Sequence, residues 1–353
     1  MLYLVFTTGA CNLNCGYCGG SFERNVVPWK IKYDLNKLKA IIESDNEATV
    51  IFYGGEPLIN YRYIMEVMDS VRAERWGIQT NGMLMHNIPE KYWKMMDVIL
   101  LSIDGRKQVT DKARGLGVYD MVLKTLYNLK KMGSKKIIAR MVATEDTDIY
   151  IDAMHLLNLG FDLVHWQLNV IWSKRWNFMK WANESYKPGI SKLVNKFLIE
   201  SKKGKAIGLV PILGVLTAYL YKPFEGVPCG AGYNAVAIST DGRILSCPIA
   251  VYEKWANIGH IKGGFKTTGS TISSMCVDCD VLPYCGGRCL YSINEGLGYW
   301  GRQGMQEVDE VTKFTVSEII KIGPAIRELL NSGIIKREDI FYDPVLDSTE
   351  VIP

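Results

Sequence analysis

The chain has 353 residues, 48% of them hydrophobic and 22% charged, enough to build a sizeable core in about two domains. Its formal net charge of +4 comes from nearly balanced acids and bases. No basic block stands out, which removes the electrostatic case for nucleic-acid binding. The chain opens on Leu2-Tyr3-Leu4-Val5-Phe6 without a basic n-region or cleavage site, so no secretory signal is expected. Nine cysteines, an odd count in two tight groups, point to metal ligands in a reducing cytoplasm rather than to a disulfide framework.

Residues 1–172 alternate short apolar runs with helix-period stretches. Strand candidates are Leu2–Thr8, Thr49–Tyr53, Trp76–Gln79, Val98–Ile103, Lys136–Ala143 and Leu163–Trp172. Between the fourth and fifth, Val118, Met121, Val122, Leu126 and Leu129 share one helix face. Strands alternating with helices imply a parallel sheet with crossover helices. Six units suggest a partial (β/α)6 TIM-type barrel, whose chemistry belongs on the loops at the strand C-termini.

The unusual residues follow the strands. The first is followed by Cys11, Cys15 and Cys18 in a C-x3-C-x2-C run. Three thiols this close can wrap one face of an iron–sulfur cube and leave its fourth iron open. A structural metal clip is the plainer alternative. The second strand ends in Gly54-Gly55-Glu56-Pro57, where two glycines admit a close ligand and Glu56 offers a carboxylate to an ammonium. The third ends in the turn Gln79-Thr80-Asn81-Gly82. The fourth ends in Ser102-Ile103-Asp104-Gly105, with Ser102 and Asp104 on one side. Along the sixth, His165, Gln167 and Asn169 alternate with Val164, Trp166, Leu168 and Val170. The polar set is expected inward, towards substrate or cofactor, with a hydrogen-bonded polar pocket as the alternative.

Residues 173–224 read as a helical bridge, in which Trp172, Trp176 and Trp181 suit a core stripe better than a substrate platform. Ala206 to Tyr221 is too short and broken to span a bilayer and reads as a buried helix starting near Pro211. A cysteine-rich region of small α+β character, residues 225–310, follows. Cys229, Gly242 and Cys247 form C-x12-G-x4-C, with a hairpin turn at Asp241-Gly242, and Cys276, Cys279, Cys285 and Cys289 form C-x2-C-x5-C-x3-C. Six cysteines do not complete two four-thiolate zinc sites. Residues 311–353 read as helices, one starting at Pro324 and ending by Asn331 to Gly333, and a surface-wrapping tail after Tyr342.

The cysteine run, GGEP one strand later and S-x-D-G together resemble the radical S-adenosylmethionine (radical SAM) enzymes. The second cysteine group resembles their SPASM extension. The resemblance implies a 4Fe–4S cluster on Cys11, Cys15 and Cys18 whose open iron binds S-adenosylmethionine, and reductive cleavage to a 5′-deoxyadenosyl radical. It further implies that Tyr17, Gly54, Gly55, Glu56, Thr80, Asn81, Ser102, Asp104 and Arg114 bind that cofactor. Two auxiliary 4Fe–4S clusters are implied, on Cys229, Cys247 and Cys289 and on Cys276, Cys279 and Cys285. The SPASM pattern closes with a further cysteine, absent after Cys289. Asp309 in Glu307-Val308-Asp309-Glu310 stands about where that thiol would be, and a carboxylate can ligate iron.

The resemblance leads to a cytosolic enzyme that abstracts hydrogen from a peptide or protein side chain, reduced by a donor such as ferredoxin or flavodoxin. A six-stranded mouth, wider than eight, suits a bulky substrate. With no recognition domain ahead of the first strand, a leader peptide would need a separate binding protein. Small-molecule or tetrapyrrole chemistry and a non-catalytic iron–sulfur electron carrier are the alternatives. The sulfatase-maturing branch fits less well, because Pro248, not an aspartate, follows Cys247.

Overall fold

The computed structural model describes residues 1–269 and 276–353. Six strands pair in parallel and in chain order: β1 (Leu2–Thr8), β2 (Thr49–Gly54), β3 (Arg75–Thr80), β4 (Val98–Ser102), β5 (Ile137–Ala143) and β6 (Leu163–Leu168). Crossover helices between them complete a partial (β/α)6 barrel. Alternation divides each strand between two apolar layers. Tyr3, Val5, Val50 and Phe52 meet the helices. Leu2, Leu4, Phe6, Ile51 and Leu100 fill the other side.

The helix Val118–Met132 buries Val118, Val122, Leu126 and Leu129 and ends on Gly133 in the left-handed region. Met121, expected on the same face, is 39% exposed, so the buried stripe is narrower than its apolar sequence. In the bridge, Phe178–Trp181 runs through a π turn at Ala182–Tyr186 into Lys187–Ser201. Pro188 explains the widened turn, since it has no N–H to give the preceding turn and its ring crowds that carbonyl. Trp176, Phe178, Trp181 and Trp300 pack edge to face as core. The helix at Val210–Leu220 has Pro211 in its first turn and is buried almost throughout. No helix among the described residues is long and apolar enough to cross a membrane.

Three features depart from expectation. The sheet does not stop at β6. A strand β7 (Ala235–Ile238) joins the free side of β1 in parallel, and β8 (Arg243–Leu245), β9 (Asn257–His260) and β10 (Gly264–Phe265) extend it antiparallel to ten strands. The turn at Asp241-Gly242 joins β7 to β8, with Gly242 at φ 92°. Strand six ends at Leu168, four residues early, because Val170 N–H turns back to the Leu168 carbonyl (2.9 Å) and Trp172 takes φ 60°. Lastly, the segment after Tyr342 is no surface wrap. Thr349, Val351 and Ile352 are buried, and the segment pairs Asp347 with Lys136 and Glu350 with Arg140. Arg140, largely buried on β5, draws it inward because an unpaired buried cation is costly, and Lys136 at the start of the strand pairs the buried Asp347.

Candidate functional site

The cysteine loop leaves β1 at Gly9 and is fastened to the ends of β2 and β3. Gly55 N–H donates to the Thr8 carbonyl (3.0 Å) and Glu56 N–H to the Ala10 carbonyl (2.8 Å). A Cβ at Gly55 would lie 2.3 Å from the Ala10 oxygen, so this approach requires glycine. Further along, Asn81 Nδ2 donates to Asn12 Oδ1 (2.8 Å), Ser21 Oγ accepts from Cys11 N–H (2.9 Å) and Gly16 N–H donates to the Ala113 carbonyl (2.9 Å). Thus Cys11, Cys15 and Cys18 all line one cavity of about 250 Å³ at the C-terminal ends of the strands. Burial raises the Cys11 thiol to about 11, with the neighbouring Glu56, Cys18 and Cys15 adding to it. Such grouped thiols ionise only against a cation.

Glu56 braces this loop. Its Oε1 accepts from Thr80 Oγ1 (2.6 Å) and Leu58 N–H (3.0 Å), and its Oε2 accepts from Asn81 N–H (2.8 Å). Burial raises its carboxyl to about 7, and those three hydrogen bonds pull the other way. Gly54, Gly55, Glu56, Thr80, Asn81 and Ser102 all line the cavity. Asp104 does not. It is fully buried, accepting from Arg114 Nε (2.7 Å) and Nη2 (2.8 Å), Tyr17 hydroxyl (2.8 Å) and Val142 N–H (2.9 Å). Sequence alternation put Ser102 and Asp104 on one side, but β4 ends at Ser102 and Asp104 contacts the cavity lining only through Tyr17 and Arg114.

On β6 and just after it, Gln167 and Asn169 line the cavity and His165 does not. His165 is fully buried, its Nδ1 accepting from Arg140 Nη1 (2.7 Å) and its Nε2 lying 3.4 Å from Glu350. Burial, then the Arg140 charge, lowers it to about 3, so the ring is neutral. It belongs to the hydrogen-bonded alternative, not to the cavity wall. Gln167 donates to the Ile352 carbonyl (3.2 Å). Asn169 Oδ1 is buried without a hydrogen-bond partner among the described residues. An orphaned acceptor beside three thiols, in a cavity whose glycines admit close backbone approach, fits a polar ligand and a cluster.

The sequence reading missed Arg140, Glu350, Trp172 and Ile249, all on this cavity. Arg140 had a signal, a lone cation inside the apolar strand Ile-Ile-Ala-Arg-Met-Val-Ala. Trp172 was read with the core stripe, yet its indole N–H donates to Tyr291 (3.0 Å) and its ring faces the cavity mouth residues.

The other six thiols fall into two sets. Cys229, Cys247 and Cys289 line a second cavity, which shares Cys289, Ile249 and Glu350 with the first. Ser246 lines it too, its buried Oγ without a partner among the described residues. Burial raises Cys229 to about 12, and Glu350 and Cys289 add to that. The remaining set is Cys276, Cys279 and Cys285. Burial raises the Cys276 thiol, and the charges of Asp309 and Cys279 add to that. Glu307 is taken by Arg175 and Glu310 by Lys187 (2.6 Å). Among the described residues Asp309 has no ion pair of its own, and burial raises its carboxyl against the pull of Arg288 and Lys313. No three His, Cys, Asp or Glu side chains among the described residues close on a single ion, as a zinc site requires. A cube instead spreads its thiolates over separate irons.

A barrel with three thiols lining one cavity and a Gly-Gly-Glu brace at its open end fits a class of iron–sulfur enzyme. Residues 5–157 match the Radical SAM superfamily, whose domain binds a 4Fe–4S cluster and S-adenosylmethionine. Over 182 residues it is 28% identical to the uncharacterized protein MJ0907 of Methanocaldococcus jannaschii, covering 46% of this chain and 63% of that one. It is 23% identical over 341 residues to the radical SAM cyclopropyl synthase TigE of Paramaledivibacter caminithermalis, covering 83% and 68%. The mycofactocin maturase MftC of Mycolicibacterium smegmatis is 26% identical over 322 residues, covering 80% and 76%. Among solved structures, anSMEcpe with bound AdoMet and Cp18Cys peptide superposes with a TM-score of 0.68 at 18% identity, covering 92% of this chain and 99% of that one. Streptococcus suis SuiB bound to its precursor peptide SuiA gives 0.57 at 15% identity, covering 83% and 72%. These two establish the shared fold.

Proposed function

We propose that this enzyme abstracts hydrogen from a side chain of a peptide or protein, using two auxiliary clusters beside the radical SAM site. The observation that carries the reading is the shared wall. The cavity lined by Cys11, Cys15 and Cys18 is also lined by Cys289, which lines the second cavity with Cys229 and Cys247. Relatives described as a maturase and a cyclopropyl synthase, and structural neighbours solved with peptides, support a peptide substrate.

When bound, the N-terminal cluster supplies the electron that breaks the cofactor's C–S bond. Cys11, Cys15 and Cys18 would hold it. Glu56, set by Thr80, Asn81 and Leu58, would receive the cofactor's ammonium on the lone pairs those donors leave free. Gly54 and Gly55 admit it closely. Ser102 and Arg114 offer hydrogen-bond donors, and Asp104 keeps Arg114 and Tyr17 in place. Ile171, Trp172 and Ile249 form the apolar wall that excludes water from the reacting atoms, while Gln167 and Asn169 orient the substrate. Cys229, Cys247 and Cys289 would hold one auxiliary cluster, and Cys276, Cys279, Cys285 and Asp309 the other. The domain plan of barrel (1–172), bridge (173–224), auxiliary domain (225–310) and closing helices (311–353) accompanies this reading. So do a cytoplasmic setting, a ferredoxin- or flavodoxin-type donor and a separate leader-peptide-binding partner.

The test is isotope transfer. A short peptide encoded beside the gene, deuterated in its side chains, is incubated anaerobically with the reduced enzyme and S-adenosylmethionine. Deuterium in the 5′-deoxyadenosine supports the proposal. Turnover of a small molecule, with no transfer from any such peptide, would replace it.

A further inference from the structure

The second cavity presents three thiols, one short of a fully thiolate-ligated cube. We propose that Glu350 supplies the missing ligand, an oxygen, to the iron left open by Cys229, Cys247 and Cys289. The assignment rests on those thiols holding a cluster.

Several observations point to it. Glu350 lines the cavity with all three thiols. Its position is fixed from several sides. Arg140 holds both carboxylate oxygens, with Nη2 to Oε1 at 2.6 Å, and His165 approaches Oε2. On one side Thr349 Oγ1 hydrogen-bonds the Tyr342 hydroxyl (2.7 Å), and on the other the Ile352 carbonyl accepts from Gln167 (3.2 Å). The carboxylate has about four lone-pair sites, and Arg140 and His165 engage three at most, so oxygen capacity remains. Once ionised on a cluster, the three thiolates would repel this carboxylate unless iron lay between them, and ligation removes that repulsion. Finally, Ser246, buried with an unpartnered hydroxyl, lies on the same wall and can donate to cluster sulfur.

The placement has a consequence for substrate. Glu350 and Cys289 both line the first cavity as well, so an oxygen ligand would stand on the wall the two cavities share. Oxygen is a harder and less covalent donor to iron than thiolate. The shared wall would therefore carry the more exchangeable of the two ligands it presents.

The experiment uses the full chain with Cys11, Cys15 and Cys18 replaced by alanine, reconstituted anaerobically, so that only the auxiliary clusters remain. Glu350→Gln keeps an acceptor for Arg140 but donates poorly to iron, and Glu350→Cys offers a thiolate. The expected result is loss of one iron from the Gln variant on mild oxidation, seen as the paramagnetic signal of a three-iron cluster. The Cys variant keeps all its iron, with a lower reduction potential than the parent. Equal iron content, spectra and potentials in all three would make Glu350 the counterion of Arg140 and nothing more. Should the variants fail to fold, the Asp309→Cys protein in oxygen-17-enriched water decides. An unbroadened auxiliary-cluster signal supports Glu350, and a broadened one places water at the iron and overturns it. If Cys229, Cys247 and Cys289 can all become alanine without loss of iron or sulfide, the cluster reading itself fails and this inference with it.

Discussion

The two thiol-bearing regions are built in opposite ways. Cys11, Cys15 and Cys18 stand on a half-open loop, with Cys18 exposed, and depend on buried side chains of other strands for their setting. Cys247, Cys285 and Cys289 are themselves buried, carried just beyond β8, at the end of the short helix Leu282–Cys285 and at the start of the long helix Leu290–Lys321. The first region keeps access for a ligand and places its rigidity behind the loop. The second buries three of its six thiols, leaves Cys229, Cys276 and Cys279 half-buried, and on our proposals would borrow oxygen donors, Asp309 and Glu350, from distant segments. The lesson is that access and enclosure here follow from which element carries the sulfur, not from the cysteine spacing.

The sharpest way to break this comparison is to remove one set of thiols. Replacing Cys11, Cys15 and Cys18 with alanine should remove one cluster, about a third of roughly twelve irons if each is a cube. The auxiliary iron should stay. Iron and sulfide assays check this, and simultaneous loss of all iron would mean the regions are not independent.

The next largest effect concerns the support behind the loop. Arg114 and Asp104 are both buried and bidentate, so Arg114→Met leaves an uncompensated carboxylate and should cost about 3–5 kcal/mol. Thermal unfolding of the full chain should show Arg114→Met falling well below the Asp104→Asn/Arg114→Met double variant. Equal losses would mean that the pair is not coupled.

Cofactor affinity comes third. Glu56→Ala removes a charge-assisted contact worth about 1.5–3 kcal/mol, so S-adenosylmethionine should bind roughly tenfold to a hundredfold more weakly. Ser102→Ala removes a neutral one worth about 0.5–1.5 kcal/mol, a loss of about tenfold at most. Equilibrium binding measures both.

Glu56 also gives a pH signature. Its carboxyl sits at about 7 in the free site, because burial outweighs its hydrogen bonds. A cofactor ammonium would favour the ionised form and lower that value, so binding releases a proton below about 7. Affinity should therefore fall by about tenfold per pH unit as pH drops below 7, and stay level above it. Glu56→Gln should flatten the profile.

The smallest expected change is in the Asp309 cluster. Asp309→Cys should keep its iron and shift the reduction potential, while Asp309→Ala makes one iron labile. Identical electron paramagnetic resonance spectra in wild type and both variants would return Asp309 to the solvated helix face.

The barrel was legible because alternation and crossover helices leave a local record, and the cysteine run, GGEP and S-x-D-G are each contiguous. What escaped was set by partners distant in sequence. His165 looked inward by alternation, yet Arg140 and Glu350 absorb it into a buried network. By alternation Asp104 shares a face with Ser102, but Arg114 claims its carboxylate. The inward course of Glu350 had no local signal at all, since an acidic residue near prolines reads as surface until the cation it neutralises is known. Likewise β7 carries an ordinary short apolar run, and nothing in it announces β1 as its neighbour.

The most direct test of the account follows 5′-deoxyadenosine in dithionite-reduced, reconstituted enzyme given S-adenosylmethionine. Wild type should form it, and so should protein in which Cys229, Cys247 and Cys289 are alanine. Protein with Cys11, Cys15 and Cys18 replaced should form none. Cleavage that survives loss of the first set, or that vanishes equally with either, would contradict the assignment of the barrel cavity as the cofactor site.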